Sequence, residues 1–138
     1  MVALDVFLLF VRDSRILLAL RENTGYADGQ WNLPSGKVEP GEEPLAAAIR
    51  EAREEVAVDV RAATLATVVH ARRPGETPRV GFFFEADPWH GEPVNAEPHK
   101  CGGLRWVALD ALPDNTVPYT RAGVAQFRKG VTYGHVEW

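Results

Sequence analysis

The sequence predicts a single α/β domain, and three observations carry that expectation. Apolar runs of strand length recur along the 138-residue chain, two stretches show helical periodicity, and no repeat, linker or low-complexity tract divides residues 1–138. That length is enough for a full core, and a hydrophobic fraction of 46% is ordinary for a globular protein. No apolar run approaches the length that spans a bilayer, and the start lacks a basic leader with an apolar segment and cleavage site. Cys101 is the only cysteine, so no internal disulfide can form. A cytoplasmic location with no membrane partner is expected. A net charge of −4 without a basic stripe argues against a nucleic acid polymer as partner. A small phosphorylated ligand stays compatible, because local cations can offset the acidic balance.

Taken in order, residues 2–11 (VALDVFLLFV) form an apolar run expected to be a strand buried on both faces. Arg12, Asp13 and Ser14 turn the chain into a second strand over 15–20, completing a hairpin. Arg21 closes that strand, either as a surface charge or as a bidentate phosphate contact. Residues 22–30 hold two Gly, an Asn and an Asp, a loop long enough to border a pocket. A short strand over 31–36 follows. Beyond the first helix, 61–72 and 80–86 read as strands joined by a turn from Arg73 to Glu76. In the second of them Phe82, Phe83 and Phe84 alternate across the sheet, one face core and the other core or a stacking surface for a base. Residues 89–103 are an irregular polar loop, 104–108 a strand, and 109–113 a turn of helix. A final helix over 119–129 is expected on the sheet face opposite the first helix. The tail over 130–138 either folds over a neighbouring pocket or frays. His70 and His90 have no second His or Cys at metal-binding spacing.

Function concentrates in residues 36–58, GKVEPGEEPLAAAIREAREEVAV. Pro40, Gly41 and Pro44 mark a turn, and Pro44 suits the first helical position, where its missing N–H costs nothing. Leu45, Ala48, Ile49, Ala52 and Val56 then fall on one apolar stripe. Glu51 and Glu55 are four apart and stack on one side, with Glu54 on the adjoining edge. Like charges at that spacing repel, so a purely structural helix gains by replacing one. A solvated acidic face is the plain explanation. Oxygen ligands for a hard divalent cation such as Mg²⁺ are the chemical one. Arg50, four residues before Glu54, is placed to hold it.

The spacing of Gly36, Glu42, Arg50-Glu51 and Glu54-Glu55 resembles the Nudix box, G-x5-E-x7-R-E-U-x-E-E-x-G-U with U a bulky aliphatic. Six fixed positions match, and at roughly one in fifteen per position chance agreement is negligible. Ala52 stands where a bulkier aliphatic is usual. Ala57 stands where the family has Gly, so the helix exit is expected to be made without a left-handed glycine. Flanking pieces extend the resemblance over nearly the whole chain. Residues 31–36 (WNLPSG) are similar to the W-x-L/F-P-G-G run of MutT-type Nudix proteins, with Ser35 replacing the first Gly. Asn95, Glu97, Pro98, Lys100, Trp106, Leu112 and Pro113 match a second recurring pattern.

The resemblance implies an α/β/α sandwich with a central mixed sheet between helices. It also implies hydrolysis of a nucleoside diphosphate linked to another moiety, with Mg²⁺ or Mn²⁺ in its place. The metal ligands it implies are Glu51, Glu54, Glu55 and a backbone oxygen at Gly36. Arg50 orients the carboxylates, Gly41 belongs to the structural part of the motif, and Glu42 either braces the loop or contacts metal through water. Arg21, Ser35 and Glu97 face substrate, and either Glu54 or Glu97 acts as base, Glu54 being preferred. A nucleoside triphosphate is the expected substrate, cleaved to monophosphate and pyrophosphate. ADP-ribose or a nucleotide sugar is the alternative, and a non-catalytic nucleotide-binding module or a prenyl diphosphate isomerase stands further off. A homodimer is compatible with the sequence.

Overall fold

The computed structural model describes residues Met1–Trp138. The opening apolar run divides between two sheets. β1 (Ala3–Leu9) stops at Phe10, and the chain resumes as β2 (Val11–Arg12), which hairpins onto β3 (Arg15–Arg21). Asp13 and Ser14 both take positive φ at that turn, the backbone that matches the twist of a two-residue hairpin. The stretch over 31–36 divides in the same way. β4 (Trp31–Asn32) pairs with β3, whereas β5 (Ser35–Lys37) crosses to pair with β1. Pro34, which has no N–H to donate to a ladder, lies at the crossing.

After α1 (Pro44–Val56) come β6 (Asp59–Val60), β7 (Ala63–Arg72) and β8 (Arg79–Ala86). Then follow β9 (Trp89–His90), β10 (Cys101–Ala108), α2 (Pro118–Lys129) and β11 (Tyr133–Glu137). The main sheet runs β11-β7-β8-β1-β5 and is mixed, because β1 lies parallel to β8 and β11 parallel to β7. A second sheet runs β10-β3-β2 with β4 on β3, and β6 pairs with β9.

Alternation along β1 defines two cores. Val6 and Leu8 pack with Ala48, Ala52 and Val56 of α1, together with Ala47, which lay outside the expected stripe. Phe7 and Leu9 pack with Val124 and Tyr119 of α2. The central sheet therefore lies between the two helices, on opposite faces, as the sequence predicts. Phe84 and Phe82 belong to the first core and Phe83 to the second, stacked 4.2 Å from Phe7. Both faces of the aromatic strand are thus core, and it has no free face for a base. Two other expectations change. Residues 109–113 make a turn without helix, and the tail does not fray: it adds β11 to the sheet and carries Trp138 to the lining of the neighbouring cavity.

Candidate active site

Helix α1 is prepared at both ends. Glu43 caps its start by accepting the Leu45 N–H at 3.2 Å, and Pro44 is the first helical residue. At the exit Ala57 takes φ 56° and ψ 35°; its N–H donates to the Arg53 carbonyl, and the Val58 N–H donates to the Ala52 carbonyl. The left-handed exit is retained although no glycine is present, so an alanine carries the steric cost.

Arg50 is the hub of the acidic sector. Its Nε and Nη2 donate to the two Glu42 oxygens at 2.8 and 3.0 Å. Nη1 donates to Glu51 at 2.8 Å and Glu54 at 3.1 Å, while Nη2 also reaches the Lys37 carbonyl at 3.1 Å. One guanidinium thereby fixes two helix carboxylates, the loop carboxylate and the backbone of β5. The Arg50 hydrogen bonds hold Glu42 down at about 2, helped by the Glu39 N–H. Glu42 is a brace between loop and helix and does not line the cavity; Gly41, at φ 79°, forms the turn just before it.

β5 is the edge strand beside these groups. Leu8 N–H to Pro34 and Val38 N–H to Leu4 bracket a regular register in which Val6 opposes Gly36. The pleat therefore turns the Gly36 carbonyl into the β1 ladder. The backbone of Ser35 and Lys37 faces outward instead, where Ser35 N–H donates to Glu55 at 2.8 Å and Lys37 C=O accepts from Arg50. This corrects the expectation for Gly36: the backbone oxygen on the carboxylate side belongs to Ser35. Gly36 is required for another reason, since a Cβ there would overlap the Glu51 carboxyl.

Glu51, Glu54, Glu55, Ser35, Gly36, Arg21 and Glu97 all line one cavity of about 990 Å³. Glu97 arrives from the polar loop after β9, whose shape Asn95 holds by donating to the Cys101 carbonyl at 2.8 Å and accepting the Glu97 N–H at 3.2 Å. Arg21 donates from Nε to the Tyr26 carbonyl at 2.7 Å and from Nη2 to Thr24 at 3.1 Å, which fixes it at the rim. Burial pushes the Glu55 carboxyl up to about 8, against the Ser35 hydrogen bond, and the charges of Glu51 and Glu97 add to the rise. Burial also raises Glu51, with Arg50 opposing.

Four carboxylates and a backbone carbonyl are hard oxygen donors, the set that Mg²⁺ takes. Crowded like charges are relieved by a cation, so the residues fit a divalent metal. No three of these groups converge on one point here. Glu51 and Glu54 instead lean on Arg50 as their counter-charge.

The opposite wall of the cavity holds residues that sequence reasoning passed over. Asp5, on the face of β1 away from α1, receives Arg79 Nε and Nη2 at 2.7 Å each and the Tyr119 hydroxyl at 3.0 Å. An aspartate inside VALDVFLLFV was the available signal, because a carboxylate in a buried strand demands a partner. The 73–76 turn, read as an ordinary connection, also forms part of this wall through Arg73, Gly75 and Glu76. Beneath the site, Asn32 donates to the Ser35 hydroxyl at 3.2 Å and accepts from Thr120, tying α2 to the loop.

A mixed sheet between two helices, with a carboxylate helix against an edge strand, defines the class. The NUDIX domain family matches residues 1–127, and the chain belongs to that family. The crystal structure of a MutT NUDIX hydrolase from Burkholderia pseudomallei superimposes with TM-score 0.84 and 34% identity, covering 91% of this chain and 98% of that one. The 8-oxo-dGTP diphosphatase of Proteus vulgaris is 31% identical over 59% of this chain and 71% of its own. The CTP pyrophosphohydrolase of Escherichia coli (strain K12) is 29% identical over 80% of this chain and 76% of its own. No helix of the structure is long and apolar enough to cross a membrane.

Proposed function

We propose that this Nudix hydrolase cleaves a nucleoside triphosphate to the monophosphate and pyrophosphate with Mg²⁺, Mn²⁺ serving as a substitute, in the cytoplasm. The observation that carries the reading is the meeting of Glu51, Glu54, Glu55 and Glu97 with the cationic Arg21 and Lys100 in one cavity large enough for a nucleotide. Glu51, Glu54, Glu55 and the Ser35 carbonyl would hold the cation. Bound there, Mg²⁺ would offset the charge of the phosphates and acidify a water molecule.

The chain's own residues supply the rest. Arg50 keeps Glu51 and Glu54 from turning away into solvent. Glu54 takes the proton from the attacking water, because it is the most solvent-accessible of the box carboxylates, at 51% side-chain exposure against 12% for Glu51. Glu97 lines the same cavity from the loop after β9 and is the second candidate base. Arg21 and Lys100 orient the phosphate chain so that attack is in line.

The test is chromatographic product analysis with Mg²⁺ and a panel of normal and oxidised nucleoside triphosphates, ADP-ribose and a dinucleoside polyphosphate. Monophosphate plus pyrophosphate from a triphosphate is the expected result. AMP from ADP-ribose alone would replace this reading with the nucleotide-sugar one.

A further inference from the structure

We propose that Arg79 reads the nucleobase, selecting a base that offers two adjacent hydrogen-bond acceptors. The inference rests on the cavity holding a nucleotide and names which one it prefers. A guanidinium has five N–H donors in a rigid plane. Asp5 takes two of them, from Nε and Nη2, at opposite carboxylate oxygens 2.7 Å away. The remaining edge carries one N–H on each terminal nitrogen, side by side, and neither has a protein partner. The side chain keeps 30% of its surface and lines the cavity, whereas Asp5 keeps 10%.

This edge is built into place. Arg79, Gly81 and Phe83 alternate along β8 on the face that β1 shares through Asp5 and Phe7. A side chain at Gly81 would collide with the Tyr119 hydroxyl, so the glycine is what lets Tyr119 reach Asp5. Asp5 is thereby held from two sides and holds Arg79 in turn. Because Asp5 already balances the charge of Arg79, the free edge is a weak anchor for phosphate and a good one for a neutral pair of acceptors. Tyr26 and Trp138 line the same cavity with the Arg73 guanidinium over both rings, 5.8 and 5.7 Å from their centroids, so a stacked base would use the remaining faces or displace Arg73.

Two parallel donors match guanine at O6 and N7, the pairing Arg makes with that base elsewhere. They also match cytosine at O2 and N3. Adenine offers no two adjacent acceptors, since its amino group donates beside N1 and N7 and its N3 stands apart, and uracil separates its acceptors by an N–H. Guanine oxidised at C8 carries a hydrogen on N7, which would meet an Arg79 donor head on. Undamaged guanine or cytosine is therefore favoured over the oxidised base.

The experiment compares wild type with Arg79→Lys, which retains a charge for Asp5 but loses the planar edge. It measures kcat/KM for GTP, CTP, ATP, UTP, dGTP and 8-oxo-dGTP with Mg²⁺, and calorimetric Kd values for the four monophosphates. Expected is a wild-type preference of about tenfold or more for guanine or cytosine over adenine and uracil, collapsing in the variant. Which of the two bases leads identifies the acceptor pair. Preference for ATP, UTP or 8-oxo-dGTP in the wild type overturns the inference without any variant, and so does a ranking unchanged in Arg79→Lys. Failure of every triphosphate to turn over, with the monophosphate ranking present and lost in Arg79→Lys, overturns the hydrolase reading and leaves the assignment of Arg79 standing.

Discussion

The two walls of the cavity are both charged, yet they are built on opposite logic. On the α1 wall four box residues come from a single helix, and carboxylates outnumber their one cation, Arg50. On the opposite wall Asp5, Arg79 and Tyr119 come from β1, β8 and α2, and every charge is matched. An unbalanced wall invites a ligand of opposite charge; a balanced wall is rigid and has only hydrogen-bond directions to offer. The first is expected to hold chemistry and the second to hold shape, and substitutions separate the two.

The largest effect is expected from Glu54→Gln, which should cut turnover about a thousandfold while the melting temperature stays put, since the side chain lies outside the core stripe. Steady-state kinetics beside a thermal melt checks it; near-normal turnover would remove Glu54 from the chemistry. Arg79→Ala should do the reverse to stability. It leaves the Asp5 carboxylate buried with Tyr119 alone, and chemical denaturation should show a loss of about 3 kcal/mol. An unaffected denaturation midpoint would mean the second wall is not the rigid one.

A smaller effect follows from the raised Glu55 carboxyl. Its pKa in the folded protein, about 8, lies above its ordinary 4.5, so the folded state keeps the proton to higher pH than the unfolded chain. Stability of the metal-free protein should therefore fall as pH rises from 5 to 8, and level off above. Glu55→Gln should flatten that slope, and saturating Mg²⁺ should stabilise the wild type most at the alkaline end. Melting curves across pH with and without chelator read all three. The smallest effect concerns neither wall directly. Ala57→Gly should raise stability by about 1 kcal/mol, because glycine accepts the left-handed exit of α1 without strain. No gain in a melt would mean the exit relaxes around alanine.

The contrast between walls also explains what could be read early. Pro44, the Ala48–Ala52–Val56 stripe and the Glu51–Glu54–Glu55 sector are spaced by helix geometry, which is local, so they are visible in one short stretch. The strands over 61–72 and 80–86 were legible for the same reason. The break at Phe10 was not: a continuous apolar run gives no sign that the chain will change sheets there, because Phe10 is as fully buried as the strand residues before it. The strand in the tail was not legible because its inward side holds only Gly134 and Val136, and pairing with β7 is what orders it.

By itself, then, the sequence determined the α/β class, the box helix with its acidic sector, and the family to which the chain belongs. Those depend on contacts within a turn or two of helix, or on a fixed order of residues. The tertiary structure alone decided that Ser35 and not Gly36 turns its carbonyl to the carboxylates, since that depends on the register of β5 against β1. It also decided that residues 5, 79 and 119 share one half-buried ion pair and hydroxyl, a junction of segments with no common period, brought together only when β1, β8 and α2 pack.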